Sequence, residues 1–385
     1  MIQIPVEPAI TEYLHTRAAQ CLMPLSGTFE LTPVCNMNCR MCYVRMSHEE
    51  QEAVAPLRSV EDWLKLGKEA KDRGMLYLLL TGGEPFLYPG FRQIMEGLSQ
   101  LGLIISINSN ATMINESVIE WLKQCPPSRI NITLYGASDE TYDRLCRNPK
   151  GFTQVTKAIR LLREAGIVVK INCSVTPYNA ADLEEMVRYC MDEKLIIQPT
   201  SYMFPPMRRD ASMIGINDRF TPEEAAYYAA KIEYLLNGKE RFLQNLKDRK
   251  WGESTSAPDQ MCLDQEGDCI RCRAGKSSFW VTWEGKFYPC GMILDDCLPN
   301  VFEVGFDQAW KEVTKYAAQI RLPYECKVCE LRDTCKACAA MVLTETGNYH
   351  TVPEYRCKMA HAYPEAYEKL ALEIQQREDV ENEEE

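Results

Sequence analysis

Eighteen cysteines in 385 residues, ten of them between Cys262 and Cys357, set the tightest limit on how this chain folds. A stretch so dense in thiols and so poor in regular apolar spacing is held by disulfides or by metal rather than by a hydrophobic core. Disulfide scaffolds belong to exported proteins. The amino terminus, MIQIPVEPAITEYLHTRAAQ, lacks the basic start, apolar core and small-residue cleavage site of an export signal. Reduced cytoplasmic thiols serving as metal ligands are the expectation. No apolar run reaches the ~20 residues that span a bilayer, so a membrane protein is not expected. With 55 acidic against 43 basic residues, net −12, the chain lacks the basic footprint of a broad nucleic-acid surface.

From residue 29 to about 205, β-branched runs alternate with amphipathic stretches. Phe29–Val34, Tyr77–Gly82, Ile104–Asn110, Arg129–Gly136, Val168–Thr176 and Ile196–Met203 read as strands, with helices such as Val60–Arg73 and Phe152–Ala165 between them. Six β/α units predict an α/β fold: a parallel sheet, open or partly closed into a barrel, with its site at the C-terminal ends of the strands. Residues 1–27 form an N-terminal segment and 28–205 the β/α body. Residues 206–261 read as a helical bridge that includes a capped helix over Thr221–Leu246. Residues 262–360 form the cysteine-rich domain, and 361–385 a C-terminal helix with an acidic, disordered tail.

Directly after the first strand, ELTPVCNMNCRMCYVR spaces Cys35, Cys39 and Cys42 as C-x3-C-x2-C. Four cysteines close an iron–sulfur cube, whereas three leave one iron open for a ligand. The alternative is a zinc knuckle or buried structural thiols. After the second strand comes Thr81-Gly82-Gly83-Glu84-Pro85. Its glycines let a backbone approach a polar ligand, and Glu84 offers an acceptor for an ammonium.

These two motifs, at the ends of adjacent strands, resemble those of the radical SAM superfamily over residues 28–205. The resemblance implies a partial (β/α)6 TIM-like barrel with a [4Fe–4S] cluster on Cys35, Cys39 and Cys42. It also implies S-adenosylmethionine chelated to the open iron and cleaved reductively to a 5′-deoxyadenosyl radical. By motif, Gly82, Gly83, Glu84 and Pro85 lie at the methionyl end. By position after later strands, Asn108, Asn110, Thr133 and Arg147 are candidates for ribose or carboxylate contacts. The usual aromatic residue before the third cysteine is here Met41, with Tyr43 just after it.

Farther on, Cys272 is followed by twelve residues, Gly285, four residues and Cys290. Then come Cys326-x2-Cys329-x5-Cys335-x2-Cys338 and, nineteen positions later, Cys357. A pair of zinc sites is the alternative. The arrangement resembles the SPASM extension of radical SAM enzymes, which implies two auxiliary [4Fe–4S] clusters. Its interleaved ligation implies Cys272, Cys290 and Cys338 on one, and Cys326, Cys329, Cys335 and Cys357 on the other. The third gap here is x2 where the family has x3. Cys269, favoured over Cys262, is the candidate fourth ligand of the first auxiliary cluster, unless that position is open to substrate. Cysteines 21, 125, 146, 173, 190 and 297 are expected in the core.

Such a cofactor supplies the hard chemistry while the protein positions the target. The resemblance implies an oxidoreductase that modifies a peptide or protein by cross-linking or dehydrogenation, with an external electron donor of the flavodoxin or ferredoxin type. Sulfatase maturases of that family carry an acid directly after the cysteine matching Cys290. Here that residue is Gly291. In YMFPPMRRD, Met203, Phe204 and Arg208 stand where substrate could border the site, and no general base stands out. Only about 28 residues precede the first strand, which favours instead a small-molecule substrate such as a sugar or amino acid. A non-catalytic iron–sulfur or zinc protein is the remaining alternative.

Overall fold

A computed structural model describes residues 8–208, 210–251 and 269–384. Six strands run parallel: β1 (Ser26–Glu30), β2 (Tyr77–Thr81), β3 (Ile104–Ser109), β4 (Arg129–Thr133), β5 (Val169–Ser174) and β6 (Ile196–Thr200). They lie in the order β6-β5-β4-β3-β2-β1, as expected of successive right-handed β/α units. The sheet then continues into the cysteine-rich region. There β7 (Ser278–Val281) pairs parallel with β1, and β8 (Phe287–Tyr288) antiparallel with β7.

Strand alternation sorts the side chains. Ile105, Ile107, Ile130, Ile132, Ile171 and Cys173 are buried in the core. Their neighbours along each strand put Glu30, Asn108, Asn131, Thr133 and Asn172 on the opposite face. The inner surface of the partial barrel is therefore polar. Outer helices begin at side-chain caps: Ser59 and Asp62 form a capping box for Val60–Asp72. That helix buries Trp63, Leu66 and Ala70. A Cβ at Gly67 would lie 2.2 Å from Leu98, so glycine lets the helix Phe91–Gln100 pack close.

The strands end two to four residues earlier than their expected limits at several places. The first stops at Glu30, because Leu31–Val34 already turn toward the cysteine loop. The helix expected over Thr221–Leu246 is two, Pro222–Asn237 and Lys239–Lys247, broken at Gly238 with φ 80°. These are not a free bridge, since Glu233 accepts hydrogen bonds from Asn245 and Tyr367 and is buried. The acidic tail expected to be disordered continues the helix Tyr363–Glu384. Tyr227 donates to Glu373 at 2.5 Å, and Lys239 pairs with Glu378. The cysteine-rich region is also more regular than its composition suggests, with helices Phe306–Gln319, Ala339–Thr346 and Glu354–His361. No helix among the described residues is long and apolar enough to cross a membrane.

Candidate functional site

The cysteine loop leaves β1 and is clamped from three sides. Asn38 and Arg40 donate backbone N–H groups to the carbonyls of Cys146 and Leu145, at the end of the helix Asp139–Cys146. Thr32 and Val34 accept from Gly83 at 2.7 Å and Glu84 at 2.9 Å. The Asn110 amide donates to Cys35 Sγ at 3.5 Å and to Asn36 at 2.9 Å. The sulfurs also accept backbone N–H groups, Met37 to Cys35 at 3.4 Å and Arg45 to Cys42 at 3.3 Å.

Burial pushes the Cys35 thiol up to about 12 against the lowering by the Met37 N–H, with Cys39 and Cys42 close enough to add to the rise. Cys39 is raised by a hydrogen bond to the Cys146 thiol and by burial. Cys35 and Cys39 resist ionisation, and backbone N–H groups are aimed at the sulfurs of Cys35 and Cys42, an environment that suits a multi-iron cation that draws off the protons. The residues present fit the cluster.

Glycine is required at 82 and 83 for a reason the motif did not reveal. A Cβ on Gly82 would meet the Thr32 carbonyl oxygen at 2.4 Å, and one on Gly83 those of Pro33 at 2.4 Å and Val34 at 2.5 Å. What these residues approach is the backbone leading into Cys35. Glu84 differs likewise from the expected ammonium acceptor. It is fully buried and accepts from Phe86 N at 3.2 Å, Ser109 Oγ at 2.9 Å and Asn110 N at 2.8 Å. Its carboxylate ties β2 to β3, and Pro85 opens the short turn that follows.

Asn108 accepts from Asn131 at 2.8 Å on the inner face. Thr133 is half-buried at the end of β4, its carbonyl accepting from Tyr142 at 3.4 Å. Arg147 stands apart, exposed in a left-handed helix cap with φ 58°.

In the C-terminal region Cys272 and Cys338 both act on the Cys290 thiol, which burial pushes up to about 12. Cys326, Cys329, Cys335 and Cys357 line one small, partly open cavity, which His361 also lines. Burial pushes Cys326 up to about 11, with Cys335, Cys357 and Cys329 adding to it. Among the described residues no three His, Cys, Asp or Glu converge as they would round one bare ion. Cys272 and Cys338 thus lie near Cys290, and Cys326, Cys329, Cys335 and Cys357 share one cavity.

Cys269 is disulfide-bonded in this structure, so its sulfur becomes a ligand only once reduced. Cys262 lies outside the described residues. Of the cysteines expected in the core, 146, 173 and 190 are buried and 125 half-buried. Cys21 and Cys297 are exposed instead, since one ends a helix and the other sits in a turn.

Tyr43 and Arg208, both singled out in the sequence, meet here in a group whose mutual contacts the motifs did not reveal. Tyr43, next to Cys42, faces Arg208, which pairs with buried Glu30 at the end of β1. Trp280 on β7 donates to the same carboxylate. A charged residue inside a strand pattern was the only signal for Glu30.

Residues 29–190 match the Radical SAM superfamily. The AdoMet-dependent heme synthase of Methanosarcina barkeri is 24% identical over 343 residues, 83% of this chain and 93% of the relative. The subtilosin biosynthesis protein AlbA of Bacillus subtilis is 31% identical over 171 residues, 44% of this chain and 37% of its own length. The sporulation killing factor maturation protein SkfB of the same organism is 28% identical over 305 residues, 77% and 69%.

Among solved structures, Streptococcus suis SuiB bound to its precursor peptide SuiA superposes with TM-score 0.62 at 17% identity, over 90% of this chain and 78% of that one. Native anSMEcpe with bound AdoMet gives TM-score 0.63 at 18% identity, over 92% and 100%. These likenesses extend across the C-terminal region, beyond the superfamily match itself. The chain carries a radical SAM domain over residues 29–190, and its likeness in fold to SuiB and anSMEcpe runs on across the C-terminal region.

Proposed function

We propose that this enzyme oxidatively modifies a ribosomally made peptide, forming a cross-link or a double bond. The observation that carries the reading is that Cys42 and Cys290, from the two cysteine-bearing regions, both lie near enough to the buried Tyr43 hydroxyl to raise its pKa. A site for hydrogen abstraction and one for removing the remaining electron would then stand near one another. When bound, the [4Fe–4S] cluster and S-adenosylmethionine supply the hydrogen-atom abstraction that no side chain provides.

The chain's own part is to hold and orient. Cys35, Cys39 and Cys42 bind the first cluster through a loop braced by Asn110 and Gly83. Cys272, Cys290 and Cys338 bind one auxiliary cluster, with Cys269 completing it when reduced. Cys326, Cys329, Cys335 and Cys357 bind the other. The inner-face residues Asn108 and Thr133 border the cofactor side. Gly291 leaves no carboxylate beside Cys290, because a Cβ there would lie 2.8 Å from the Trp280 ring. The site therefore departs from the sulfatase-maturase arrangement. A flavodoxin- or ferredoxin-type donor in the cytoplasm supplies the reducing electron.

The peptide reading draws on AlbA, SkfB and the SuiB–SuiA complex. The long heme-synthase match supports a tetrapyrrole as the second reading.

The test is anaerobic reconstitution with iron and sulfide, reduction with dithionite, addition of S-adenosylmethionine and detection of 5′-deoxyadenosine by mass. Formation that disappears when Cys35, Cys39 and Cys42 are all changed to Ala supports radical chemistry at this loop. No formation from fully iron-loaded protein overturns it. Deuterium transfer to deoxyadenosine from a perdeuterated cysteine-containing peptide, and not from a deuterated porphyrin, selects the peptide; the reverse selects the tetrapyrrole.

A further inference from the structure

Glu30 and Arg208 form an ion pair whose side chains are 0% and 9% exposed. A buried pair adds little net stability over a well-packed apolar one, so its position is the better guide to its role. Arg208 Nη2 donates to Glu30 Oε1 at 2.8 Å, and Trp280 Nε1 donates to Glu30 Oε2 at 3.1 Å. The other guanidinium nitrogen, Nη1, donates to the Gly291 carbonyl at 3.4 Å. The guanidinium carbon lies 5.6 Å from the centre of the Tyr43 ring.

The five residues come from β1, the loop after Cys42, the segment beyond β6, β7, and the turn after Cys290. Two of the contacts, Trp280 to Glu30 and Arg208 to the Gly291 carbonyl, join the part that carries Cys35–Cys42 to the part that carries Cys290. Both terminal nitrogens of Arg208 are engaged by protein oxygens.

We propose that Arg208 is a positioning residue. By holding Glu30 and the Gly291 carbonyl together, it fixes the Cys290 site against the radical-generating loop and sets one positive charge beside the auxiliary cluster. The inference rests on the reading of Cys272, Cys290 and Cys338 as ligands of that cluster. Arg208 stands beside the Cys290 site because its Nη1 reaches the carbonyl of Gly291, the next residue. A cation there favours the reduced, more negative cluster and raises its reduction potential. Arg208 thus supports the cluster that takes the second electron of the substrate.

The test uses full-length protein with Cys35→Ala, Cys39→Ala and Cys42→Ala, reconstituted anaerobically so that only auxiliary clusters contribute, and an EPR-monitored redox titration. Changing Arg208→Gln alone strands a buried carboxylate and risks unfolding. The variant is therefore Glu30→Gln with Arg208→Gln, read against Glu30→Gln alone, which keeps the guanidinium, so that the two differ by the charge of Arg208. The expected result is a more negative midpoint in the double variant than in Glu30→Gln, read as about a tenfold rise in the oxidised-to-reduced ratio at the Glu30→Gln midpoint. Arg208→Lys, which keeps the charge, is expected to leave the midpoint near its original value. An auxiliary signal present but with the same midpoint in the double variant as in Glu30→Gln overturns the role of Arg208 alone. No auxiliary signal in the parent protein overturns the ligand reading, and the proposal with it.

Discussion

At the scale of single residues, the Gly82–Pro85 turn does its work on the protein as much as on any ligand. Gly83→Ala would drive a methyl group against two backbone carbonyls of the strand that feeds Cys35. We expect a loss of about 1–3 kcal/mol, typical of overpacking, together with loss of iron from the first site; thermal unfolding and iron per chain measure both. Glu84 gives a pH signature. Burial pushes its carboxyl from the ordinary 4.5 up to about 7, against hydrogen bonds from Asn110, Phe86 and Ser109 that lower it. Between those values the folded chain holds a proton that the unfolded chain has released. The contribution is therefore full below pH 4.5 and lost as pH rises to about 7, by ~3 kcal/mol. Urea unfolding at pH 5 and 7.5 should show that decline in the parent protein and a much flatter profile in Glu84→Gln.

At the scale of elements, the barrel and the cysteine-rich region are joined by a second buried pair, away from the cysteine loop. Arg219 donates through both terminal nitrogens to Glu345, at 2.7 Å each, from below the helix Ala339–Thr346. Tyr202, just beyond β6, donates to the same carboxylate at 2.7 Å. The guanidinium sits 3.5 Å from the centre of the Tyr355 ring. Both side chains are under 5% exposed, so solvent screens little of the interaction. Arg219→Ala should reduce stability by about 3–5 kcal/mol, because it leaves Glu345 buried and alone. A double Arg219→Met, Glu345→Leu variant should recover most of that loss. Denaturant midpoints of the three proteins decide it: equal losses in the single and double variants would show that packing and not charge holds this contact.

For the whole molecule, a cluster held as proposed on Cys326, Cys329, Cys335 and Cys357 would make the C-terminal region depend on it. Removing iron with a chelator should raise amide hydrogen exchange at residues 320–337 while β2 to β5 stay protected, since short helices there have no large core of their own. Uniform exchange through both regions would argue against that dependence.

The β/α alternation and the C-x3-C-x2-C loop after the first strand were legible in the chain because each is a local pattern of spacing. Six strands, their order and the placement of the cysteine loop at the end of β1 follow from periodicity and from the handedness of β/α units. Other features were not legible, because they depend on residues far apart in sequence meeting in space. The joining of β7 to β1 makes one sheet of what composition divides into two domains. The use of Glu84 as a tie between strands depends on Ser109 and Asn110 arriving from β3. The Glu30–Arg208–Trp280 group depends on three elements spread over 250 residues, with no short spacing to betray it. The sequence by itself determined which chemistry the chain can carry, through thiols at fixed intervals. Only the tertiary structure decided how the cysteine sites face one another, because that is set by a strand pairing and two buried ion pairs that no local pattern encodes.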